Sequence, residues 1–124
     1  MKVAFAPSVA AAIDATKYQY IRAGDEHRFI PIWVVVVKGR VFVRPWNDKA
    51  DGWYRTFLRD KRGAIKVNEK EVLVRAKPAK GATLNASVDA AYAAKYTTKA
   101  NEKYVMGFAT AKRRATTLEL LADK

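Results

Sequence analysis

The clearest pattern in the sequence is a pair of β-branched and aromatic runs joined by a short turn. The first run covers positions 31–37, the turn is Lys38-Gly39, and the second run covers positions 40–44. Two such runs separated by a two-residue turn that contains glycine predict a β-hairpin. The first run is apolar at consecutive positions, so we expect a central strand covered on both faces.

Shorter patterns on both sides of this hairpin predict the remaining elements. Further strands are expected over 18–23, 64–67, 72–77 and 115–120. Helices are expected after Ser8, over 51–60, from Asn85 to about position 96, and from Asn101. This order lacks the regular alternation of a parallel α/β sheet. We therefore predict one α+β domain over residues 1–124, a six-stranded antiparallel split β-barrel with short peripheral helices.

Composition adds a strong positive charge and removes several kinds of site. The chain has 24 Lys and Arg against 12 Asp and Glu, a net charge of +12, and no cysteine. The charge favours anionic partners, namely phosphorylated cofactors, nucleic acid or acidic lipid head groups. The lack of cysteine excludes disulfides and thiolate metal sites. The apolar runs are too short to cross a bilayer, so we expect a cytoplasmic protein without a membrane span.

Side chains for direct catalysis are few. His27 is the single histidine and is expected at a surface turn, and the two serines, Ser8 and Ser87, fit helix N-terminal positions. We therefore predict no metal site and no catalytic triad. If the chain is an enzyme, a bound cofactor is expected to carry the reaction.

Positions 44–62 combine the two side-chain types that hold a phosphorylated ring system. Guanidinium groups bind phosphate through paired hydrogen bonds, and indole or phenol rings offer a flat face to another ring. The candidates for binding an anionic small molecule are Arg44, Trp46, Lys49, Trp53, Tyr54 and Arg55. The alternative is structural, with Trp53 packed in the core and the basic residues in solvent.

Three stretches carry a resemblance to a known superfamily. PIWVVVVKGRVFVRPW, WYRTFL and RGAIKV resemble the flavin-binding split β-barrel proteins, in particular the deazaflavin-dependent nitroreductase branch. The later segments DAAYAAKY and ATTLEL look like a family of short bacterial proteins of unassigned activity. The resemblance implies a homodimer that binds flavin mononucleotide or a deazaflavin beside its central strands. By position, it places the same six residues, 44, 46, 49 and 53–55, at the cofactor.

Three functions therefore stay open. The first is a flavin- or deazaflavin-binding protein that acts as a reductase. The second is a basic nucleic-acid-binding barrel without catalysis, which would use exposed rings along a charged groove. The third is a split-barrel protein that has lost its cofactor, since Gly52 and Thr56 stand where the nitroreductases commonly have proline and asparagine.

Overall fold

The computed structural model describes residues 2–25, 28–46 and 52–123. Within these ranges the strands are β1 Lys2–Val3, β2 Gln19–Ala23, β3 Ile30–Ile32, β4 Val35–Val37, β5 Arg40–Val43, β6 Arg62–Val67, β7 Lys70–Pro78 and β8 Leu118–Asp123. The α-helices are α1 Pro7–Asp14, α2 Trp53–Arg59, α3 Ala82–Lys95, α4 Glu102–Phe108 and α5 Ala111–Arg114, and a 3₁₀ turn, Lys99–Asn101, precedes α4. None of these helices is long and apolar enough to span a bilayer.

The strands form one antiparallel sheet that curls into a half-barrel. Its order is β3-β2-β6-β7-β8-β5-β4, and β1 pairs with β8 beside this path. The two outermost strands, β3 and β4, are separated in sequence by Trp33 and Val34 alone. Three residue steps span at most about 11 Å, so the two edges of the sheet must lie close together. The sheet therefore bends round on itself, and its opening lies at this junction.

The junction is held by side chains where the strand ladder stops. The Tyr96 hydroxyl accepts a hydrogen bond from the Val34 N–H at 3.0 Å, and the Lys95 ammonium donates to the Val34 carbonyl at 2.9 Å. These contacts satisfy the two backbone groups of a buried residue that has no strand partner. The apolar run 31–37 is therefore two edge strands, and the prediction of one central strand was wrong.

The run is apolar on both faces because two separate clusters pack against it. Strand β5 shows the same division, since Val41 and Val43 enter the cluster inside the curled sheet while Phe42 enters the second cluster. The second cluster lies between the β4–β5 hairpin and the helices and includes Val88, Tyr92, Tyr96 and Phe108. Alternation along a strand with apolar cover on both sides produces this pattern.

The α+β class and the curled antiparallel sheet agree with the prediction, but the strand count of six was wrong. The described residues form eight strands, because the run at 31–37 is divided and β1 was not expected. Both hairpins are present, and the second is longer than expected. The closing strand begins at Leu118, three positions later than predicted, because the backbone N–H groups of residues 115–117 donate hydrogen bonds back to carbonyls of α5.

Two expected helix caps were wrong. Helix α1 begins at Pro7, and no side chain caps it, so Ser8 lies within its first turn. Helix α3 begins at Ala82, which places Asn85 inside the helix. The Asn85 side-chain carbonyl instead accepts hydrogen bonds from Arg44 and Thr117. A tertiary contact has replaced the local capping bond.

Candidate functional site

A cavity of about 640 Å³ opens where the sheet is split, between strand β2, segment 30–33 and helix α4. The start of α2 and the loop after β5 complete its wall. The lining residues are Tyr18, Ile21, Ala23, Arg28, Ile30, Pro31, Ile32, Trp33, Arg44, Trp46, Gly52, Trp53, Tyr54, Asn101, Tyr104 and Phe108. Its volume lies in the range of small-molecule and cofactor sites.

Aromatic rings form most of the wall on the α4 side. Trp33 stacks on Tyr96 with ring centroids 4.0 Å apart and an interplanar angle of 6°. The Tyr104 ring meets Trp33 edge-on at 6.3 Å, and the Phe108 ring lies 5.6 Å from Trp33. Contacts of this kind fix ring orientation. The cavity therefore has a rigid aromatic wall on this side.

Trp46 extends the wall and depends on a glycine. Its indole is edge-on to Tyr104 at 5.0 Å and to Phe108 at 5.5 Å, and the residue is 51% exposed. A Cβ on Gly107 would lie 2.8 Å from Trp46 Cη2 and Cζ3. Glycine at 107 thus allows the indole to lie directly on α4.

Trp53 and Tyr54 line the cavity from the first turn of α2. Both are partly buried and pack against the cluster inside the curled sheet, and Trp53 is edge-on to Phe57 at 6.4 Å. The structural and the binding interpretation of Trp53 are compatible, because one residue packs on the core and lines the cavity.

Arg44 is the buried centre of a hydrogen-bond network. Its Nε donates to Thr117 Oγ1 at 2.8 Å, and Nη2 donates to the Asn85 backbone and side-chain oxygens. Its Nη1 donates to Asp89 Oδ1 and to the Phe108 carbonyl. Arg44 is 1% exposed, and all five of its N–H groups have an acceptor.

This network changes the role predicted for Arg44. A guanidinium whose donors are all engaged inside the protein has none left for a ligand phosphate. Arg44 instead joins β5 to α3 and binds the carbonyl of Phe108, the last residue of α4. A cation at a helix C-terminus stabilises the free carbonyls there. The contacts that the structure shows for Arg44 are structural, and its predicted role at a phosphate stays a prediction.

Of the other two predicted cations, only Arg55 lies within the described residues. Arg55 is exposed on α2 and is not among the described lining residues, although it has an interaction partner. Lys49 lies outside the described residues, as does His27. Arg28 lines the cavity and is exposed, and no described residue accepts a hydrogen bond from its side chain. Arg28 is therefore the lining cation that the structure offers to an anion.

The lining residue Asn101 has a buried side-chain nitrogen for which the described residues provide no partner. Asn101 occupies the position before α4, yet its side chain makes no capping hydrogen bond. Its Nδ2 is buried, and no described residue accepts a hydrogen bond from it. Buried amide donors without an acceptor are rare in folded proteins. Because its accessible surface is below 1 Å², this donor lies behind the lining and is not open to the cavity.

Two tyrosines behind the wall are held in the neutral form. Burial raises the pKa of Tyr96 to about 12, against a smaller opposing effect from its hydrogen bond to Val34. Burial also raises the pKa of Tyr92, and the charge of Arg44 partly opposes it. Both hydroxyls serve as hydrogen-bonding groups at neutral pH and hold the backbone of β5 and the β3–β4 junction.

Sequence reasoning missed the α4 side of the cavity. Asn101, Tyr104 and Phe108 are spaced by three and four positions, which places them on one face of a helix. That spacing was visible, but a short helix gave no indication of what its face contacts. Trp33 lies within the run that predicted a buried strand, so its sequence context did not indicate a cavity. Arg28 has no helical or strand pattern around it that would indicate its position.

The fold and the cavity define an α+β protein with a curled antiparallel half-barrel and an aromatic pocket at its open side. The profile of DUF2255, a family described as uncharacterized protein conserved in bacteria, matches residues 8–120, and the chain belongs to this family. No curated protein matches the sequence significantly.

Two solved structures share the fold. The conserved hypothetical protein Rv2991 from Mycobacterium tuberculosis superposes with a TM-score of 0.59 at 14% identity, covering 99% of this chain and 83% of the other. An FAD-binding protein from Mesorhizobium loti superposes with a TM-score of 0.57 at 10% identity, covering 97% and 91%. The predicted resemblance to a family of bacterial proteins without an assigned activity is thus confirmed, and the two solved structures share the fold of this chain.

Proposed function

We propose that the chain binds a flavin-type cofactor, flavin mononucleotide or a deazaflavin, in the cavity at the opening of the half-barrel. The observation that carries this proposal is a 640 Å³ cavity whose described lining includes seven aromatic side chains and one exposed cation, Arg28. Those groups fit a planar heterocycle with a phosphorylated chain. A structural relative of similar architecture is an FAD-binding protein, which supports the proposal.

The residues around the cavity have three different roles in this proposal. Trp46, Trp53 and Tyr54, together with Trp33 and Tyr104, pack against the ring, and Arg28 takes the phosphate. Arg44 holds the wall in place from behind. A bound flavin supplies hydride transfer, so the chain's own residues position the ring and exclude water from it. Reduction of a second substrate in the same cavity is the reaction that this arrangement favours.

The distribution of aromatic residues favours a cavity ligand over nucleic acid. Four aromatic side chains among the described residues are more than a third exposed: Tyr18, Tyr20, Trp46 and Tyr104. Three of them line the cavity, and Tyr20 does not. Binding of single strands needs rings spaced along an open groove. The homodimer and the cytoplasmic location stay predictions, which sedimentation and localisation of a tagged chain would test.

The test is a titration of purified protein with flavin mononucleotide, its 5-deaza analogue and a mixed oligonucleotide, followed by tryptophan fluorescence. All three tryptophans line the cavity, so a bound flavin should quench them strongly. Tyr18→Ala should weaken flavin binding about tenfold, and Tyr20→Ala should leave it unchanged. Tyr20 is the matched control for Tyr18, because the two residues are 49% and 47% exposed and lie two positions apart, and only Tyr18 is among the lining residues.

Equal effects of the two variants would contradict a ligand in the cavity. Saturable quenching by the oligonucleotide alone, with affinity falling steeply as salt is raised, would replace the proposal with the nucleic-acid function.

A further inference from the structure

The strand pairing between β2 and β3 stops at the edge of the cavity. Its last pair consists of the first residue of β2 and the last residue of β3. In the same antiparallel register, Tyr18 would face Trp33 next, and both of these residues line the cavity. Lys17 would face Val34 after that, but none of the four residues belongs to a strand. The spacing of the two chain segments beyond the ladder therefore sets the distance between two lining residues.

The Tyr96 hydroxyl lies where the next backbone hydrogen bond of this ladder would form. It accepts the Val34 N–H at 3.0 Å and donates its one proton to the Lys17 carbonyl at 2.6 Å. Continued strand pairing would join these two backbone groups directly. The Val34 carbonyl is 3.2 Å from the hydroxyl and accepts the Lys95 ammonium at 2.9 Å. The hydroxyl therefore links the two segments and stands between their backbones.

The ring of Tyr96 contacts the same junction. It stacks on Trp33 with ring centroids 4.0 Å apart, and Tyr96 is buried and is not among the described lining residues of the cavity. Tyr96 therefore acts on a ligand only through its neighbours. Replacement by phenylalanine removes the hydroxyl and keeps the stacked ring, so this variant isolates the effect of the hydroxyl on the backbone.

We infer that Tyr96 is a positioning residue whose hydroxyl sets the spacing of Tyr18 and Trp33, so that the cavity admits a long fused-ring ligand in preference to a single ring. This inference rests on the proposed function and narrows it to the length of the ring system. Without the hydroxyl, the buried N–H of Val34 loses its partner, which is costly inside a protein. We expect the two segments to close until this N–H bonds the Lys17 carbonyl directly, which narrows the opening.

The first measurement needs no ligand. In Tyr96→Phe the strand pairing should continue, which brings the α-carbons of Tyr18 and Trp33 to about 4.5 Å in a non-hydrogen-bonded pair. The nuclear Overhauser effect between their α-protons should be strong in this variant and weak in wild type. The control is Tyr92→Phe, which removes another buried hydroxyl, one that accepts the Arg44 N–H at 3.1 Å. This control should show the wild-type spectrum at the junction.

The second measurement is ring selectivity, determined by equilibrium dialysis of the full chain. Flavin mononucleotide and uridine 5′-monophosphate both carry a pyrimidinedione and a phosphate monoester, and they differ in the length of the ring system. Tyr96→Phe should weaken flavin binding about tenfold and leave uridine binding nearly unchanged, whereas Tyr92→Phe should retain the wild-type preference. Partial unfolding weakens both ligands by the same factor, because only the folded fraction binds. A purely structural role would therefore leave the preference unchanged.

Four results would contradict the inference. Equal weakening of both ligands by Tyr96→Phe, or no stronger α-proton contact, would refute the role of Tyr96 and leave the proposed function standing if Tyr18→Ala still weakens flavin binding. The same loss of preference in Tyr92→Phe would refute it too, because any buried hydroxyl behind the wall would then have this effect. Failure of the uridine phosphate to bind wild type would contradict an opening that ranks rings by length. Absence of flavin binding by wild type would refute the proposed function and the ring selection with it, while the α-proton contact would still report whether the hydroxyl spaces the two segments.

Discussion

Replacement of Arg44 should lower the stability of this protein more than any other substitution, although Arg44 lies in the segment whose composition predicted ligand binding. Replacement by methionine keeps most of the aliphatic packing and removes the guanidinium. The change removes five hydrogen bonds, to acceptor atoms on Thr117, Asp89, Phe108 and twice on Asn85. All five acceptor atoms lie between the sheet and the helices.

The magnitude follows from burial. The Arg44 side chain is fully buried and Asp89 is 14% exposed, so the pair is largely shielded from water. Breaking a buried pair by removing one partner destabilises a protein by about 3–5 kcal/mol. For a chain of this length, about 4 kcal/mol corresponds to a melting temperature lower by about 15 °C. Arg44→Lys keeps a charge but loses the forked geometry, so we expect an intermediate effect.

The assay is urea unfolding followed by circular dichroism, with the midpoint compared at constant slope. The control is Arg114→Gln, because Arg114 also pairs with Asp89 but is 46% exposed. An exposed ion pair contributes about 1 kcal/mol or less. Equal losses from both variants would refute the reasoning, since burial would then not decide the cost. A loss below about 1 kcal/mol for Arg44→Met would refute it as well.

Two further predictions concern the wall of the cavity. Gly107→Ala should lower flavin affinity several-fold and shift tryptophan emission, because the new methyl group displaces the Trp46 indole. This loss is expected even though alanine favours a helix over glycine by about 1 kcal/mol. Unchanged emission and affinity would contradict the contact between residue 107 and Trp46. Alkaline pH should unfold the protein, because the pKa of Tyr96 is raised to about 12 and that of Tyr92 is raised also. In the unfolded chain a tyrosine ionises near pH 10, so the stabilising contribution is complete below about pH 10 and is lost as pH rises towards 12. Tyrosinate absorbance should therefore show a late step that coincides with loss of circular dichroism, and separate steps would argue against the burial effect.

The sequence patterns that predicted the fold correctly are local. The hairpin turn at Lys38-Gly39 and the i,i+4 pair of Trp53 and Phe57 are set by neighbouring residues, and both elements form where expected. The break in the run 31–37 was not predictable in this way. It depends on closure of the sheet and on Tyr96, whose hydroxyl meets Val34 across 62 positions.

The candidate site also shows the difference between local patterns, which the sequence reveals, and long-range contacts, which it does not. Trp46, Trp53 and Tyr54, three of the six candidates, line the cavity, and their role in binding a ligand stays a prediction. The fate of Arg44 was invisible, because its partners lie 41 to 73 positions later in the chain. Composition can show that a segment is rich in binding groups, but it cannot show which of them the fold uses for itself.

Strand β8 has a consequence for the order of folding. It pairs with β7, β5 and β1, so it joins the β4–β5 hairpin and the N-terminal strand to the β6–β7 hairpin. During synthesis, residues 118–123 leave the ribosome after all the other strands. Until β8 has been made, the edges of β5 and β7 that it will cover have no strand partner. Open strand edges can pair with other chains. The sheet is therefore completed only after β8 has been made, and the protection of these edges against aggregation depends on the strand that is synthesised last.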